Sequence, residues 1–325
     1  MKTKALYVLV SNDKDYYLEQ AYLSVYSLKL HNPDMCVVAL MDDITNKGLV
    51  GKREKFLSAI DEKVVIDLDS DWNPIKRSRY LKTSARLHVK GDFLFIDTDT
   101  IIVSSLEDID NCEYDLAAVR DAHTTMNNLY VDRTLELSKK LSVPLLSNIV
   151  CFNSGIFYVK DNDRSYSFYK QWNSLWMRGA NLGVLQDQPS LNILNQSLDL
   201  IMEIDGIWNC QLLRNGLNYF ANAKIVHYFN MCTRWKGVFY GNPYYFTDID
   251  LFTQIKSSME INPDMKDKLL NYSSCFSDRI EVVSGDNLLI LHSRQYRMLA
   301  YLYVYCNSLF RFFESVLWKV TRLKH

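Results

Sequence analysis

Two aspartates that are separated by one residue interrupt an apolar stretch of the chain. Asp97 and Asp99 belong to the segment Asp-Thr-Asp-Thr, which lies between the apolar runs 93–96 and 101–103. Unpaired carboxylates are very costly to bury, so this segment must meet water, a cation or a ligand. Two carboxylates at this spacing can share a divalent cation whose other positions go to water and a diphosphate. A solvated acidic turn between two strands explains the same residues, so the short motif favours a binding site only slightly.

The apolar runs predict how this motif is positioned. Runs of four or five apolar residues are typical of strands that are buried on both faces, and in an open α/β sheet such strands end at the ligand crevice. The chain begins in the same way, with an apolar run at 5–10, helical spacing over 18–28 and a second run at 36–41. This βαβ order indicates a nucleotide-binding half-fold, although neither a Gly-x-Gly-x-x-Gly fingerprint nor a P-loop is present.

The loop after the first strand offers groups that suit a nucleoside. Ser11 and Asn12 can hydrogen-bond a base or a ribose, and Tyr16 or Tyr17 can stack on the base. Residues of these types are more often simple turn formers. A second polar stretch, 124–147, is expected to be a mobile loop or lid.

A basic segment precedes the central strand. Lys82 and Arg86 are four residues apart, so they share one face if the segment is a helix. If that face is directed at Asp97 and Asp99, the two cations can neutralise phosphates that a metal ion does not reach. A solvated helix face is the more common outcome for a run of charge.

Three polar positions occur at the ends of later elements. Asn153 begins an apolar strand and offers a donor and an acceptor to a sugar hydroxyl, although ordinary strand entry explains it about equally well. Asp187 suits a helix N-cap with Pro189 in the first turn, which is a complete structural explanation. His227 ends a short apolar strand, where a single histidine is usually structural.

Composition limits the class of protein. A chain of 325 residues that is 48% hydrophobic can bury a large core, and we expect one large domain with a smaller addition. The formal net charge of -1 argues against general nucleic-acid binding. The seven cysteines are widely spread without a Cys-x-x-Cys pair, which favours reduced thiols over a zinc or disulfide framework. With no signal-peptide core and no apolar segment of membrane-spanning length, we expect a cytoplasmic location.

The carboxyl-terminal 35 residues have their own character. Residues 298–310 are uncharged and aromatic-rich, and basic residues outnumber acidic ones by six to one over 291–325. Apolar residues then recur at helical spacing, at Leu309, Phe313, Val316, Val320 and Leu323. This pattern predicts a basic amphipathic helix that lies on an anionic membrane at its inner face. Packing on the catalytic domain or in a homo-oligomer contact is an equal alternative.

Taken in order, these segments resemble the retaining glycosyltransferases of family 8, which include glycogenin and the bacterial lipooligosaccharide galactosyltransferases. The resemblance covers residues 1–235, and His227 falls where the family has its third metal ligand. Five motifs follow the order of the family: Thr83-Ser84-Ala85-Arg86-Leu87, Phe95-Ile96-Asp97-Thr98-Asp99, Ala118-Val119-Arg120-Asp121, Phe152-Asn153-Ser154-Gly155 and Asp187-Gln188.

The resemblance implies an α/β protein with the GT-A fold, a Rossmann-like mixed sheet flanked by helices, over residues 1–235. Residues 236–325 are expected to form a helical extension. The implied ligands are a uridine diphosphate (UDP) sugar and Mn²⁺ or Mg²⁺. The implied metal ligands are Asp97, Asp99 and His227. The expected donor-binding residues are Ser11, Asn12, Tyr16, Arg86 and Thr98, together with the two aspartates. The expected catalytic residues are Asp187, Gln188 and Asn153.

The chain departs from the family pattern at two places. Pro189 stands where the family often has a second acid after Asp-Gln. After the histidine the family usually has Gly and then Lys-Pro-Trp, with that lysine on the diphosphate. Here Arg234 or Lys236 is the candidate replacement for that lysine.

The implied activity is transfer of glucose or galactose, with retention, to a saccharide of a bacterial surface glycan, glycolipid or glycoprotein. No pair of carboxylates that flanks the bond is identified, so we expect front-face attack by the acceptor. One alternative is a haloacid-dehalogenase-type phosphatase with Asp97 as nucleophile, because residues 95–100 also fit its strand-Asp-x-Asp-x-Thr pattern. That motif normally ends the first strand, whereas almost a hundred residues precede it here. A second alternative is a nucleotide-sugar-binding subunit without turnover.

Overall fold

The computed structural model describes residues 1–124, 132–147, 149–211, 214–228, 249–271 and 293–322. The strands in these residues are β1 (Lys4–Leu9), β2 (Val37–Asp42), β3 (Glu62–Ile66), β4 (Phe93–Ile96), β5 (Thr100–Ile102), β6 (Leu116–Arg120), β7 (Phe152–Val159), β8 (Ile201–Glu203), β9 (Cys210–Gln211) and β10 (Ile225–His227). The α-helices are α1 (Tyr17–His31), α2 (Asp43–Lys47), α3 (Pro74–His88), α4 (Asp132–Leu141), α5 (Asp163–Asn181), α6 (Gln188–Leu198), α7 (Ile249–Ser258), α8 (Pro263–Leu270), α9 (Arg294–Tyr305) and α10 (Asn307–Arg322).

Seven strands form the main sheet, in the order β3-β2-β1-β4-β7-β6-β8. Strands β1 to β4 are mutually parallel, whereas β7 pairs antiparallel with both β4 and β6. The beginning of β7 therefore lies at the same sheet edge as the ends of its neighbours. This reversal brings Asn153, Ser154 and Gly155 to the edge where β4 ends at Ile96. The mixed sheet flanked by helices that the resemblance to family 8 implies is confirmed.

A second, three-stranded sheet has the order β5-β10-β9. Strand β10 pairs antiparallel with β5, so that His227 lies opposite Thr100. The Thr100 hydroxyl donates to the carbonyl of Asp97 at 2.9 Å and lies 2.8 Å from the Ser24 hydroxyl. The turn between the two sheets is thereby fixed, and it carries Asp97, Thr98 and Asp99.

The core lies between the main sheet and its helices, with aromatic side chains at its centre. Phe157 of β7 packs against Phe168, Tyr169 and Trp172 of α5 at ring-centroid distances of 6.1–6.4 Å. The Trp172 indole is fully buried and donates to the Asp187 carbonyl at 3.2 Å. Burial of the indole therefore also fixes the backbone at the start of α6.

Side-chain caps begin the two helices that pack behind the site. Asn73 accepts a hydrogen bond from the backbone N–H of Lys76, and Pro74 occupies the first turn of α3. Asn162 and Ser165 form a reciprocal capping box at the start of α5. These residues satisfy N–H groups that the first helical turn leaves without partners.

Two compact units divide the chain differently from the predicted boundary at residue 235. The first unit comprises 1–230 and 250–270, and the second comprises 231–249 and 271–325. Lys256 of α7 explains part of this division, because its ammonium donates to the Asp15 carbonyl at 2.6 Å. The stretch expected to be a loop at 124–147 contains α4, so that expectation was wrong for residues 132–141.

In the second unit, α9 and α10 pack on each other. The Tyr303 ring of α9 meets Phe310 of α10 edge-on at 5.1 Å. Among the described residues, no helix is both long and apolar enough to cross a membrane. The cysteines 36, 112, 151, 210 and 306 are free thiols.

Candidate active site

Three side chains from two sheets converge on one point. Asp97 follows β4, Asp99 precedes β5 and His227 ends β10, and each presents a ligand atom within 4.8 Å of the others. The His227 Nε2 lies 3.3 Å from the Asp99 Oδ1. The imidazole is only 3% exposed, whereas the Asp97 and Asp99 side chains keep 24% and 15% of their surface accessible. The cluster is therefore open on its carboxylate side.

Gly155 permits this convergence. Its carbonyl accepts a hydrogen bond from the Asp97 N–H at 2.8 Å, which ties the motif to β7. A Cβ at this position would lie 2.8 Å from the Asp97 Oδ2 and would overlap the His227 Cε1 more severely. Only glycine allows the backbone of β7 to come this close to both side chains.

A chain of buried amides sets the proton position on His227. Asn153 donates from Nδ2 to the Asp121 carboxylate at 2.9 Å, and its oxygen accepts from the Gly155 N–H at 2.9 Å. The same oxygen accepts from Asn209 Nδ2 at 2.9 Å, so the Asn209 oxygen faces the His227 Nδ1 at 3.1 Å. An amide oxygen only accepts, so Nδ1 carries the proton.

This proton position makes the cluster suitable for a divalent cation. With a proton on Nδ1, Nε2 is the nitrogen that faces the Asp99 carboxylate, and it can hold either a second proton or a metal ion. A lone pair and a carboxylate repel each other unless a cation or a proton lies between them. Two carboxylates and an imidazole whose other nitrogen is held by an amide are a donor set that fits Mn²⁺ or Mg²⁺.

Replacing Asn209 with alanine is expected to lower the affinity for Mn²⁺ by about 10- to 100-fold, because partners that orient a histidine ligand contribute on this scale. Mn²⁺ affinity can be measured by electron paramagnetic resonance of the free ion. Asn46→Ala is the control, since that amide accepts from the Lys63 ammonium and lines neither cleft. Equal Mn²⁺ affinities in Asn209→Ala and the wild type would show that His227 does not depend on this amide.

Two cations from α3 face the cluster. The Lys82 ammonium lies 3.0 Å from an Asp97 oxygen and 3.4 Å from an Asp187 oxygen, and it is 4% exposed. Arg79, one turn earlier, places Nε 3.1 Å from the other Asp187 oxygen. Asp187 also accepts a hydrogen bond from the Ser154 hydroxyl at 2.7 Å. The site therefore holds carboxylates and cationic side chains that form ion pairs with one another.

These surroundings shift the pKa of each acid. Burial would raise the pKa of Asp187, but Lys82 and Arg79 hold it well below its usual range. Burial raises the pKa of Asp97 although Lys82 opposes the shift, and the neighbouring Asp99 raises it further. For Asp99, burial is outweighed by His227, which lowers the pKa. Asp187 and Asp99 are thus ionised and available to a ligand or a cation.

Arg86 does not join this group. Its guanidinium donates to the carbonyls of Val89 and Gly91 and lies 3.3 Å from Asp161. The expectation that Arg86 faces the acids with Lys82 is not met by these contacts. Because α3 leads into β4, Arg86 lies beside the residues that precede this strand, whereas Asp97 follows its end. Lys82, which lies one helical turn before Arg86 on α3, is the cation that faces the acids.

Two clefts open from the cluster. The first cleft is lined by apolar side chains of β1 and β4, by the beginning of α3 and by the Asp97–Asp99 turn. Its lining residues are Val8, Val10, Tyr17, Pro74, Ile75, Ser78, Arg79, Lys82, Phe95, Asp97, Thr98 and Asp99. The second cleft is more polar. Its lining residues include Arg79, Lys82, Asp97, Asp99, Asp121, Arg133, Asn153, Ser154, Gly155, Asp187, Gln188, Arg214 and His227.

The residues predicted to bind a nucleoside differ in their surroundings. Tyr17 and Thr98 line the first cleft. Tyr16 instead lies against α7, with its hydroxyl 3.2 Å from the Thr253 hydroxyl. The Ser11 hydroxyl donates to Asp15 at 2.6 Å, and the Asn12 amide oxygen accepts from the Lys14 N–H. Ser11 and Asn12 therefore shape their own loop, which is the alternative that the sequence left open.

Asp187 and Gln188 begin α6, with Pro189 in the first turn as predicted. The Asp187 side chain does not cap the helix, because it is directed at the cations and Ser154. The Gln188 oxygen accepts from the Ser154 N–H at 3.2 Å and from Asn153 at 3.4 Å. Gln188 also lines the second cleft.

Three residues of this site received no role from the sequence, although Asp121 ends one of the five motifs. Asp121 lines the second cleft and is held by Asn153, and it precedes two residues with positive φ, Ala122 and His123. Such backbone is strained for residues other than glycine and is often found at functional sites. Arg79 had a signal in its spacing of three from Lys82. Asn209 had none, because its role depends on contacts across the fold.

Comparisons with known proteins identify a family and a similar fold. Residues 77–246, more than half of the chain, match the family described as nucleotide-diphospho-sugar transferase. The fold is similar to that of the galactosyltransferase LgtC, with a TM-score of 0.52 and 13% identity over 82% of this chain and 100% of that one. The glycosyltransferase GlyE of Streptococcus pneumoniae TIGR4 gives a TM-score of 0.47 and 16% identity over 87% of this chain and 67% of that one. No curated protein matches the chain in sequence.

The family match includes α3 from Arg77 onward, both aspartates of the turn, Asp187 and His227. The solved structure of LgtC adds the fold, which is the GT-A-like mixed sheet that the resemblance to family 8 implied. The chain belongs to the nucleotide-diphospho-sugar transferase family and is a glycosyltransferase.

Proposed function

We propose that this glycosyltransferase transfers glucose or galactose from a UDP-sugar to a saccharide acceptor with retention of configuration. The observation that carries the proposal is the convergence of Asp97, Asp99 and His227 where two clefts meet. A nucleotide sugar has a nucleoside at one end and a sugar at the other, with the diphosphate between them. Two clefts joined at a cation site suit a ligand of that shape.

Asp97, Asp99 and His227 are the residues that would hold Mn²⁺ or Mg²⁺. A divalent cation at such a site supplies charge that stabilises the diphosphate as it leaves. Lys82 supports the same chemistry from the protein side, because its buried ammonium lies beside Asp97 and keeps the site from being strongly negative. An imidazole that carries a single proton, on Nδ1, presents the lone pair of Nε2 to a metal ion.

The first cleft suits the uridine. Val8, Val10 and Phe95 offer apolar walls, and the Tyr17 ring is 40% exposed for stacking on the base. Thr98, between the two aspartates, also lines this cleft. These residues support binding of a flat base next to the metal site.

The second cleft suits the transferred sugar and the acceptor. Asp187 is ionised and can accept hydrogen bonds from sugar hydroxyls, and Gln188 offers amide N–H donors. Asn153 is 5% exposed, its Nδ2 donates to Asp121 and Gln188, and its oxygen already accepts two hydrogen bonds. We therefore assign Asn153 a positioning role rather than contact with the substrate.

The engagement of the Gln188 oxygen supports front-face attack. Two N–H donors already hold this oxygen, so it is poorly available as a nucleophile. In the proposed reaction the acceptor hydroxyl attacks the anomeric carbon on the side from which UDP departs, and the leaving phosphate oxygen takes the hydroxyl proton. Isolation of a sugar bonded to Gln188 or Asp187 would contradict this route.

Thermal-shift measurements with a panel of nucleotide sugars, with and without Mn²⁺, test the proposal. A ligand that binds only the folded protein raises the melting temperature by mass action. In the presence of Mn²⁺, we expect UDP-glucose or UDP-galactose to raise the melting temperature more than guanosine diphosphate sugars do. We also expect the enzyme to hydrolyse the bound UDP-sugar slowly, which releases UDP. No shift with any UDP-sugar would contradict the assigned donor. A shift without UDP release would favour the binding subunit without turnover.

No observation favours the phosphatase alternative over the family assignment. Asp97 follows the fourth strand of the chain, and its carboxylate is paired with Lys82. A nucleophilic aspartate of the phosphatase type would be expected at the end of the first strand. Incubation with a simple aryl phosphate tests this conclusion, and we expect no release of phosphate.

We also propose that α10 binds an anionic membrane, where a glycolipid or a growing surface glycan would serve as acceptor. Five large apolar side chains of α10 are each more than 40% exposed: Leu309, Phe312, Phe313, Val316 and Leu317. Their spacing gives one apolar stripe on the helix, as interfacial helices require. A location at the inner face of a bacterial membrane follows from the same proposal. Residues Val320 and Leu323, predicted for the same stripe, have side chains outside the described residues.

Phe312→Asp with Phe313→Asp is expected to reduce binding to phosphatidylglycerol vesicles at least tenfold, because charge on the apolar stripe opposes insertion. Cosedimentation measures the bound fraction, and analytical ultracentrifugation of the same samples detects a homo-oligomer. Tyr166→Asp is the control, since this exposed aromatic residue lies on α5. Vesicle binding that is unchanged, with an oligomer that dissociates in the double variant, would favour the oligomer alternative.

A further inference from the structure

Arg79 lies where the two clefts meet. Four residues line both clefts, namely Arg79, Lys82, Asp97 and Asp99. If the first cleft takes the nucleoside and the second takes the sugar, the diphosphate of the donor must pass these four residues. The inference below rests on the proposed function in this respect.

Three of the four residues are already committed to other contacts. Asp97 and Asp99 belong to the cation cluster with His227. Lys82 is 4% exposed and is paired with both Asp97 and Asp187. Its ammonium also lies 4.7 Å from the centre of the Phe95 ring, so it is enclosed by protein.

Arg79 is the exception. Its side chain is 36% exposed, and Asp187 holds it through Nε at 3.1 Å. Within the described part of the chain, its two terminal nitrogens have no hydrogen-bond partner. Asp187 thus fixes the guanidinium at one side, while the other side is left to face the junction of the clefts.

We propose that Arg79 binds the diphosphate of the donor through its two terminal nitrogens. A planar guanidinium that is anchored through Nε can donate two parallel hydrogen bonds to phosphate oxygens, which an ammonium cannot do. Its charge also stabilises the negative charge that develops on the departing UDP. Arg79 therefore supplies a cation for the diphosphate within α3, independently of Arg234 and Lys236, which lie outside the described residues.

Calorimetric titration of the full chain with UDP in the presence of Mn²⁺ tests this inference. UDP is the probe because it lacks the sugar that Asp187 is proposed to contact. We expect Arg79→Gln to weaken UDP binding by about 10- to 100-fold, the scale of charge-assisted hydrogen bonds to a phosphate. Arg79→Lys should also weaken it, because one ammonium cannot both hold Asp187 and reach the phosphates. Circular dichroism verifies that both variants fold.

A double variant separates binding from indirect charge effects. If Arg79 only neutralises Asp187, then Arg79→Gln combined with Asp187→Asn restores the affinity for UDP. If Arg79 contacts the phosphates, the double variant stays as weak as Arg79→Gln. Lys76→Gln is the matched control on the same helix, since that lysine lies over the Trp72 ring and lines neither cleft.

The outcomes distinguish this inference from the proposed function. Failure of the wild type to bind UDP with Mn²⁺ would overturn both. Tight UDP binding by the wild type that Arg79→Gln leaves within twofold, or that the double variant restores, would overturn the role of Arg79 and leave the proposed function in place.

Discussion

Replacing Gly155 with alanine is expected to abolish sugar transfer, with a loss of at least 100-fold in kcat. The added methyl group would lie 2.8 Å from the Asp97 Oδ2 and would overlap the imidazole of His227. At least one of these side chains must move, and a displacement of about 1 Å in a catalytic group can reduce the rate by about 100-fold. Mn²⁺ affinity is expected to fall together with kcat, because both side chains are proposed metal ligands.

The rate of UDP release and the Mn²⁺ affinity are the two measurements for this variant. Gly48→Ala is the matched control, because a Cβ there makes only ordinary contacts, at 3.4 Å and 3.5 Å, with carbonyl oxygens of α2. The control should keep the wild-type rate. Gly155→Ala with normal Mn²⁺ affinity and a normal rate would contradict the proposal that Asp97 and His227 share a cation.

Replacing Asp99 with asparagine is expected to reduce kcat by about a thousandfold, comparable to the loss of a strong electrostatic contact with a developing charge. The substitution keeps the size of the side chain and removes its negative charge. His227 holds the pKa of Asp99 below its usual range, so the wild-type residue is charged at neutral pH and the variant loses that charge fully. The variant should need far more Mn²⁺ for half-maximal activity.

Titration of activity against Mn²⁺ concentration, followed by chelation with excess EDTA, measures this dependence. The wild type should lose activity on chelation and regain it when Mn²⁺ is restored. Asp69→Asn is the matched control, since that exposed carboxylate accepts from the N–H of Asp71 and lines neither cleft. Activity in Asp99→Asn that matches the wild type and resists EDTA would contradict a metal role for this residue.

Local patterns predicted most of the elements that carry the site. The apolar run at 5–10 corresponds to β1 (Lys4–Leu9), and the apolar strand expected from Asn153 corresponds to β7 (Phe152–Val159). Alternation and helical spacing are properties of neighbouring residues, so they are visible without the fold. The Asp-x-Asp motif was visible as a polar break between two apolar runs, whereas the Asp-Gln pair was recognised through the resemblance to family 8.

Positions within the site were harder to predict. Helical periodicity correctly put Lys82 and Arg86 on α3, yet it could not say which turn of the helix lies beside the ends of the strands. The path of the chain from α3 into β4 decides this, and it leaves Arg86 with Asp161 and brings Arg79 to Asp187. Local patterns also could not show to which unit α7 belongs. Contacts between distant residues, such as that of Lys256 with Asp15, show that α7 packs with the first unit.

In the sequence, local patterns indicated an α/β protein and the two aspartates of the turn, and the resemblance to family 8 added the histidine far downstream. Only the tertiary structure decided that these three residues meet. Their meeting depends on the reversed direction of β7, on the pairing of β10 with β5 and on the absence of a side chain at Gly155. These are contacts between residues up to 130 positions apart, and their energy comes from packing and hydrogen bonds that no local stretch of sequence contains.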